Sequence, residues 1–274
     1  MKWEILVPLL AILIIGIPHG ASDILIARRL YSQGWFKLLS FVIGYFFLAI
    51  IVLITWHFYP IFSLSSFLLI SALHFGLLDT LANQPTDYKA LRAFIYGATP
   101  IIIPITFHTS AVNEIFNLLI FDESDFAYKL DLLFPFWLIG VIVLFAKNGR
   151  KTVRELLEII LLACLLALIP PLWGFAFYFC FVHSVRHFLN LSKTLNEIGK
   201  FDIFAMIVTV AATLMLILAA TLLLTGEKIE DDLLRVTFIG LAALTVPHML
   251  LVDFYPRIRD INFLIRLRRY FLTR

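Results

Sequence analysis

The sequence predicts an all-α protein, a polytopic bundle of about nine transmembrane helices, with seven to nine crossings. Of its 274 residues, 61% are hydrophobic and only 15% are charged, whereas a soluble domain carries about 25% charged residues. The mean hydropathy is +0.95. The apolar runs approach the roughly 20 residues that cross a bilayer core, and they lack the alternation of barrel strands. We expect residues 1–274 to form one integral-membrane domain that ends in a basic cytoplasmic tail at 256–274.

The apolar runs define nine candidate spans. They are residues 4–27, 36–57, 60–82, 91–108, 129–146, 153–169, 171–192, 203–225 and 233–255. The first run resembles a secretory signal peptide, but Pro18, His19 and Gly20 interrupt it where a cleavage site would stand, so we expect it to persist as a span. Pro170 and Pro171 divide the sixth run from the seventh, because proline ends one helix and is accepted at the start of the next.

The distribution of charge predicts the orientation of these spans. Most Lys and Arg residues follow odd-numbered spans, whereas the other connections include acidic clusters at 122–125 and 227–232. The positive-inside rule then places the N-terminus outside and the C-terminus in the cytoplasm of a multi-pass protein of the cell (inner) membrane. The basic tail is typical of a membrane-surface anchor and not of a nucleic-acid site. Cys164 and Cys180 lie inside apolar runs, which argues against a disulfide framework or a thiolate metal site.

Five of the seven histidines lie in the later part of odd-numbered spans, so the topology places all five in the cytoplasmic half of the membrane. They are His19, His74, His183, His187 and His248. A polar residue inside a membrane usually faces the bundle interior, a partner or a functional site, and imidazole is a good ligand for iron, zinc or copper. We therefore expect a shared metal site. The other two, His57 and His108, fall at the outer ends of even-numbered spans and are interpreted as interfacial residues.

The spacing of the histidines and nearby charged residues refines this expectation. His183 and His187 are four residues apart and share one helix face, so one helix can provide two ligands, with His19, His74 and a fifth candidate, His248, on other helices. Carboxylates that accept the free imidazole N–H commonly surround such sites. The candidates are the aspartates that follow these histidines by four or five residues, and an arginine that could pair with them: Asp23, Asp79, Asp253 and Arg186. Asp23, one turn beyond His19, is the preferred candidate for such a carboxylate, while capping of helix ends is an equal alternative for Asp79 and Asp253.

Four motifs carry a family resemblance. They are Gly-Ile-Pro-His-Gly-Ala-Ser-Asp at 16–23, His-Phe-Gly-Leu-Leu-Asp at 74–79, His-Ser-Val-Arg-His at 183–187 and Pro-His-Met-Leu-Leu-Val-Asp at 247–253. In this order they resemble the bacteriorhodopsin-related protein (Brp/Blh) family of membrane β-carotene 15,15′-dioxygenases. The resemblance implies Fe²⁺ as cofactor, β-carotene and O₂ as substrates, and two retinals as products, delivered to a microbial rhodopsin. It also implies that His19, His74, His183 and His187 are the catalytic iron ligands, with less weight on His248.

Two other functions remain open on the residues alone. One is a membrane transporter that uses histidines as proton relays, which predicts broken helices and a water-accessible path. The other is a lipid or carotenoid hydroxylase or desaturase, which would hold two metals in larger histidine clusters. The number of irons per chain separates the three: one for the dioxygenase, none for the transporter and two for the hydroxylase.

Overall fold

The computed structural model describes residues 3–30, 34–81, 88–148, 153–195, 199–223 and 228–254. Within these ranges the chain forms helices joined by short connections, and no strand is present. The α-helices are α1 (Trp3–Ala11), α2 (Ile17–Ala21), α3 (Asp23–Leu30), α4 (Trp35–Phe58), α5 (Pro60–Leu81), α6 (Lys89–Phe107), α7 (Thr109–Ile120), α8 (Phe126–Asp131), α9 (Phe134–Asn148), α10 (Val153–Leu168), α11 (Pro171–Phe177), α12 (Ser184–Leu195), α13 (Lys200–Leu223) and α14 (Ile229–Met249). The predicted basic tail, 256–274, lies outside the described residues.

Helices occupy all nine predicted span positions. Among the described residues, seven helical segments are long and apolar enough to cross a membrane: Trp3–Arg29, Trp35–Phe58, Pro60–Leu78, Lys89–Phe107, Phe126–Lys147, Lys200–Leu223 and Ile229–Asp253. The helix of the sixth position, α10, has 16 residues, about 24 Å of helix, which is shorter than the roughly 30 Å core. The helix at the seventh position is less apolar, because its second half, α12, contains polar and charged residues that include Arg186 and His187. The all-α polytopic prediction is confirmed, and the count agrees with seven to nine.

In the part of the chain that the structure describes, three π-helical turns interrupt the spans. They are Ile12–Gly16 between α1 and α2, Tyr178–His183 between α11 and α12, and Leu250–Phe254 after α14. A π turn contains one more residue than an α turn, so it rotates the residues beyond it by about 100° around the helix. Each of the three lies beside, or contains, a residue of the predicted site.

Helix α7 was not predicted. The sequence analysis treated 109–128 as a connection, but Thr109–Ile120 forms an amphipathic helix that buries Val112, Phe116 and Leu119. Its carbonyl at Leu119 accepts a hydrogen bond of 2.9 Å from the indole N–H of Trp56, a fully buried side chain of α4. A helix of 12 residues is too short to span a bilayer, so a search for long apolar runs passes over it.

Helices α5 and α6 approach each other closely enough for backbone contact. A Cβ atom on Gly97 would overlap the carbonyl oxygen of Ala72, and a Cβ atom on Gly76 would overlap the carbonyl oxygen of Ala93. Small residues allow such close approach between membrane helices. Because His74 lies between Ala72 and Gly76, this contact fixes the position of one of the site histidines.

Replacing Gly97 with alanine tests this contact. We expect Gly97→Ala to lower the free energy of unfolding by about 1–3 kcal/mol, as overpacking of a tight core does, and to lower the melting temperature in detergent. Gly240→Ala in α14 is the control, because a Cβ atom there meets nothing within 4 Å, and alanine is the better helix former. Equal melting temperatures for the two variants would contradict the close α5–α6 contact.

Candidate metal centre

Four spans bring the five histidines together in the interior of the bundle. His19 lies in α2, His74 in α5, His183 at the end of the second π turn, His187 in α12 and His248 in α14. All five side chains are buried, with exposures of 8% or less. The sequence placed them at one depth, and the packing of the spans brings them into contact.

His19 lies at the centre of the cluster. The centroid of its ring is 4.1 Å from that of His187 and 4.7 Å from those of His183 and His248. On the other side of the cluster, the ring of His74 is 4.9 Å from those of His183 and His248. The ring of His187 is also 5.4 Å from that of His248, so each of the five imidazoles lies near at least two others.

Nitrogen atoms of three of these rings lie especially close. One ring nitrogen each from His19, His74 and His248 fall within 4.8 Å of one another. Nitrogens that share a metal ion lie at most about 4.2 Å apart when each bond is about 2.1 Å, so small rotations of the rings suffice. Sequence reasoning gave His248 the least weight as a ligand, and the structure places its nitrogen beside those of His19 and His74.

Two buried aspartates orient two of the rings. His74 Nδ1 donates to Asp253 Oδ2 at 2.6 Å, and His248 Nδ1 donates to Asp23 Oδ1 at 2.8 Å. The carboxylates hold the proton on Nδ1 and leave the lone pair of each Nε2 directed into the cluster. This carboxylate–imidazole arrangement is typical of histidines that bind a metal ion.

The two aspartates bind histidines other than those that precede them in sequence. Asp23 follows His19 but binds His248, and Asp253 follows His248 but binds His74. Asp23 begins α3 after a break at Ser22, and Asp253 lies in the π turn after α14. Neither aspartate therefore continues the regular helix of the histidine before it, and each reaches a ring on another helix. The side chain of Asp79, the aspartate considered for His74, lies outside the described part of the chain.

Five imidazole nitrogens of the cluster have no hydrogen-bond partner within the described residues. These buried atoms are His19 Nδ1, His74 Nε2, His248 Nε2 and both ring nitrogens of His183. Nearly all buried polar atoms in folded proteins are paired, and unpaired ones are costly in a low-dielectric interior. A group of unpaired imidazole nitrogens around one point fits a bound cation. Two carboxylates also match the two positive charges of a divalent ion, so the donor set and the charge are both appropriate for a metal such as Fe²⁺.

Comparison with known proteins agrees with this chemistry. The family profile described as β-carotene 15,15′-dioxygenase matches residues 10–255. The chain belongs to this family. It is 33% identical over 253 residues to a β-carotene 15,15′-dioxygenase of an uncultured marine bacterium (66A03), covering 90% of this chain and 92% of the relative. It is 26% identical to a protein of Halobacterium salinarum named "Probable β-carotene 15,15′-dioxygenase Blh", covering 93% of this chain and 85% of the relative. No solved structure matches the chain.

Two polar residues at the site of this dioxygenase-family chain escaped the sequence analysis. The Tyr45 hydroxyl, from α4, donates to Asp23 Oδ2 at 2.8 Å, so it holds the carboxylate that holds His248. The Ser22 hydroxyl donates to the His19 carbonyl at 2.6 Å and lies 3.3 Å from His187 Nε2. Tyr45 stands alone in an apolar run, and only that isolation could have indicated it. Ser22 lies inside the first motif but has no charge to attract notice.

The structure also locates the other predicted residues. The Arg186 side chain is 37% exposed, and its guanidinium lies 3.7 Å from the carboxylate of Glu158 in α10. His57 contacts Phe58 at the end of α4, and His108 joins α6 to α7. Cys164 and Cys180 are free thiols, in agreement with the sequence analysis.

Removing the charge of Asp23 tests the role of the carboxylates. We expect Asp23→Asn to weaken metal binding by about 10- to 100-fold, the usual cost of losing a carboxylate that orients a ligand, and Tyr45→Phe to have a smaller effect in the same direction. Titration of the purified metal-free protein with Co²⁺, followed by visible absorption, measures both affinities.

Glu158→Gln is the control for these variants. Glu158 contacts Arg154 and Arg186 on a partly exposed surface, so its loss should leave Co²⁺ affinity unchanged. Equal Co²⁺ affinities for Asp23→Asn and Glu158→Gln would show that Asp23 does not act on a bound metal.

Proposed function

We propose that this protein cleaves β-carotene at its central 15,15′ double bond with O₂ and releases two molecules of all-trans-retinal. The reaction is balanced, since each half of the symmetric polyene takes one oxygen atom as an aldehyde. The observation that carries the proposal is a cluster of five buried imidazoles inside a membrane bundle, in which nitrogens of His19, His74 and His248 lie within 4.8 Å of one another. Membership of the β-carotene 15,15′-dioxygenase family supports it independently.

Fe²⁺ is the proposed cofactor. The proposed ligands are His19, His74, His183 and His187, with His248 as a fifth. When bound, ferrous iron supplies the one-electron chemistry with O₂ that side chains lack; zinc, which has no redox chemistry, would not. A shell of neutral imidazoles favours this borderline-soft cation over Mg²⁺ or Ca²⁺.

The chain's own residues prepare the site for this reaction. The hydrogen bonds from His74 to Asp253 and from His248 to Asp23 fix each ring in the tautomer that presents Nε2 inward. The Tyr45 hydroxyl, bonded to Asp23, restrains that carboxylate in turn. Burial of the whole cluster limits access of water, which protects reactive species formed from O₂.

The apolar surroundings suit a hydrocarbon substrate. β-Carotene is about as long as the bilayer core is thick, roughly 30 Å, and dissolves in the lipid. We propose that the single domain lies in the cell membrane with its N-terminus outside and its C-terminus in the cytoplasm, with the basic segment 256–274 at the inner surface. The retinal formed would pass through the bilayer to a microbial rhodopsin.

Expression in cells that accumulate β-carotene tests the activity. We expect the wild-type protein to remove the orange colour and to produce retinal, detected by chromatography. His187→Ala should lose retinal formation because it removes a proposed ligand, whereas His108→Ala, at the α6–α7 junction, should retain it.

The metal content of the same preparations distinguishes the alternatives. One iron per chain agrees with the dioxygenase, no iron with a histidine-relay transporter and two irons with a hydroxylase or desaturase. Persistent colour in cells that contain folded, iron-loaded wild-type protein would refute carotene cleavage, and equal activity in the two histidine variants would refute the ligand assignment.

A further inference from the structure

A groove lies between α4, α5 and α14 on the outer side of the histidine cluster. It encloses about 170 Å³ and is lined mainly by apolar atoms, with Val52 and Thr55 on α4, Ile70 on α5 and Val246 on α14 among its walls. At its inner end, Ile70 is one helical turn before His74, and Val246 is two residues before His248. The groove therefore ends beside two of the histidines whose nitrogens point into the cluster.

We propose that this groove holds the polyene part of one arm of the substrate, with the terminal ring at the lipid-facing opening, and sets the distance from the metal centre to the end of that arm. The proposal rests on the function proposed above. A central cut requires that each arm, about 15 Å of a molecule as long as the roughly 30 Å bilayer core, be accommodated on its own side of the reacting bond. A carotene has no polar group along its chain, so only the length and shape of a binding site can select the central bond.

The distance from the histidines to the outer end of the groove matches one arm. On α5 the groove is lined from Phe62 to Ile70, about 12 Å at 1.5 Å per residue. His74 lies one helical turn beyond Ile70, so the outer end is about 18 Å from His74 along the helix. The side chain of Phe62 is largely exposed, so this end is open to the surrounding lipid. A ringed arm of about 15 Å would extend from the metal centre nearly to this opening.

The polar residues in the walls of the groove are compatible with a hydrocarbon ligand. The hydroxyls of Thr55 and Thr245 donate to the carbonyls of Ile51 and Leu241 in their own helices, at 2.8 and 2.7 Å, so these side chains satisfy their polar atoms without a ligand. The Ser63 hydroxyl is buried without a hydrogen-bond partner among the described residues. It lies at the outer end of the groove, where the terminal ring of the arm would be placed, and not along the polyene.

Blocking the groove at mid-length tests the proposal. Ser66 lines the groove two helical turns before His74, about 12 Å along the helix, so the indole of Ser66→Trp would leave too little room for a complete arm. We expect kcat/KM for β-carotene in detergent to fall by about tenfold or more, with an iron content equal to that of the wild type. A truncated apocarotenal, with one complete ringed arm and the other cut to about half, should lose less than about twofold, because its short arm still fits.

Leu69→Trp is the matched control. It adds the same side chain to the same helix at a position that is 63% exposed and faces away from the groove, so both substrates should react at the wild-type rate. If Ser66→Trp does not retain iron, Thr55→Trp on the facing wall of the groove replaces it, with the same expectations.

The outcomes separate this proposal from the proposed function. If the wild-type protein forms no retinal, the function itself is refuted. If the wild type is active and the blocked variant cleaves β-carotene at the same rate, a lipid chain or a second copy of the protein fills the groove and the proposal is overturned. Equal decreases in kcat/KM for the complete and the truncated substrate would also overturn the proposal, because the effect of the substitution would then not depend on the length of the arm.

Discussion

The proposed metal centre depends on the electrostatic balance between two buried carboxylates and the cation that the imidazole cluster would receive. Placing an ionised carboxylate in a low-dielectric interior costs several kcal/mol, even after relaxation of the surroundings. Asp23 and Asp253 are both almost completely buried, and each accepts a hydrogen bond from a histidine whose other nitrogen faces the cluster. Each imidazole lies between its carboxylate and the centre of the cluster, where a divalent ion would balance the negative charges of both aspartates.

Close packing contacts fix the relative positions of the helices that carry these residues. Gly76 and Gly97 permit the backbones of α5 and α6 to touch, and Gly16 is packed so closely on Phe179 that a Cβ atom would overlap the ring. The π turns at Ile12–Gly16 and Tyr178–His183 lie within the same region. A histidine cluster needs rings from four spans to be directed at one point, and close packing with local changes of helix rotation achieves this.

Much of this arrangement was predictable from the sequence, and the reasons for the failures are physical. Long apolar runs and the positive-inside rule predicted the spans and placed His19, His74, His183, His187 and His248 at one depth, because position along a helix converts directly into depth in the membrane. Neither the apolar runs nor the distribution of charge determines how far each helix is rotated about its own axis.

The partners of the aspartates depend on that rotation. Asp23 and His248 are 225 residues apart, and no local pattern relates them. The contribution of Tyr45 follows from the contact of α4 with the first span and is equally hidden. Helix α7 and the π turns were missed because they depend on tertiary packing more than on hydropathy.

The central claim is that one ion is bound by imidazoles from all four spans, and X-ray absorption at the iron K-edge of the purified, iron-loaded protein tests it most directly. The account predicts a shell of nitrogen ligands with the multiple-scattering pattern of at least four imidazoles and no second metal nearby. Three or fewer imidazoles, a shell dominated by oxygen or sulfur, or a neighbouring iron would contradict it.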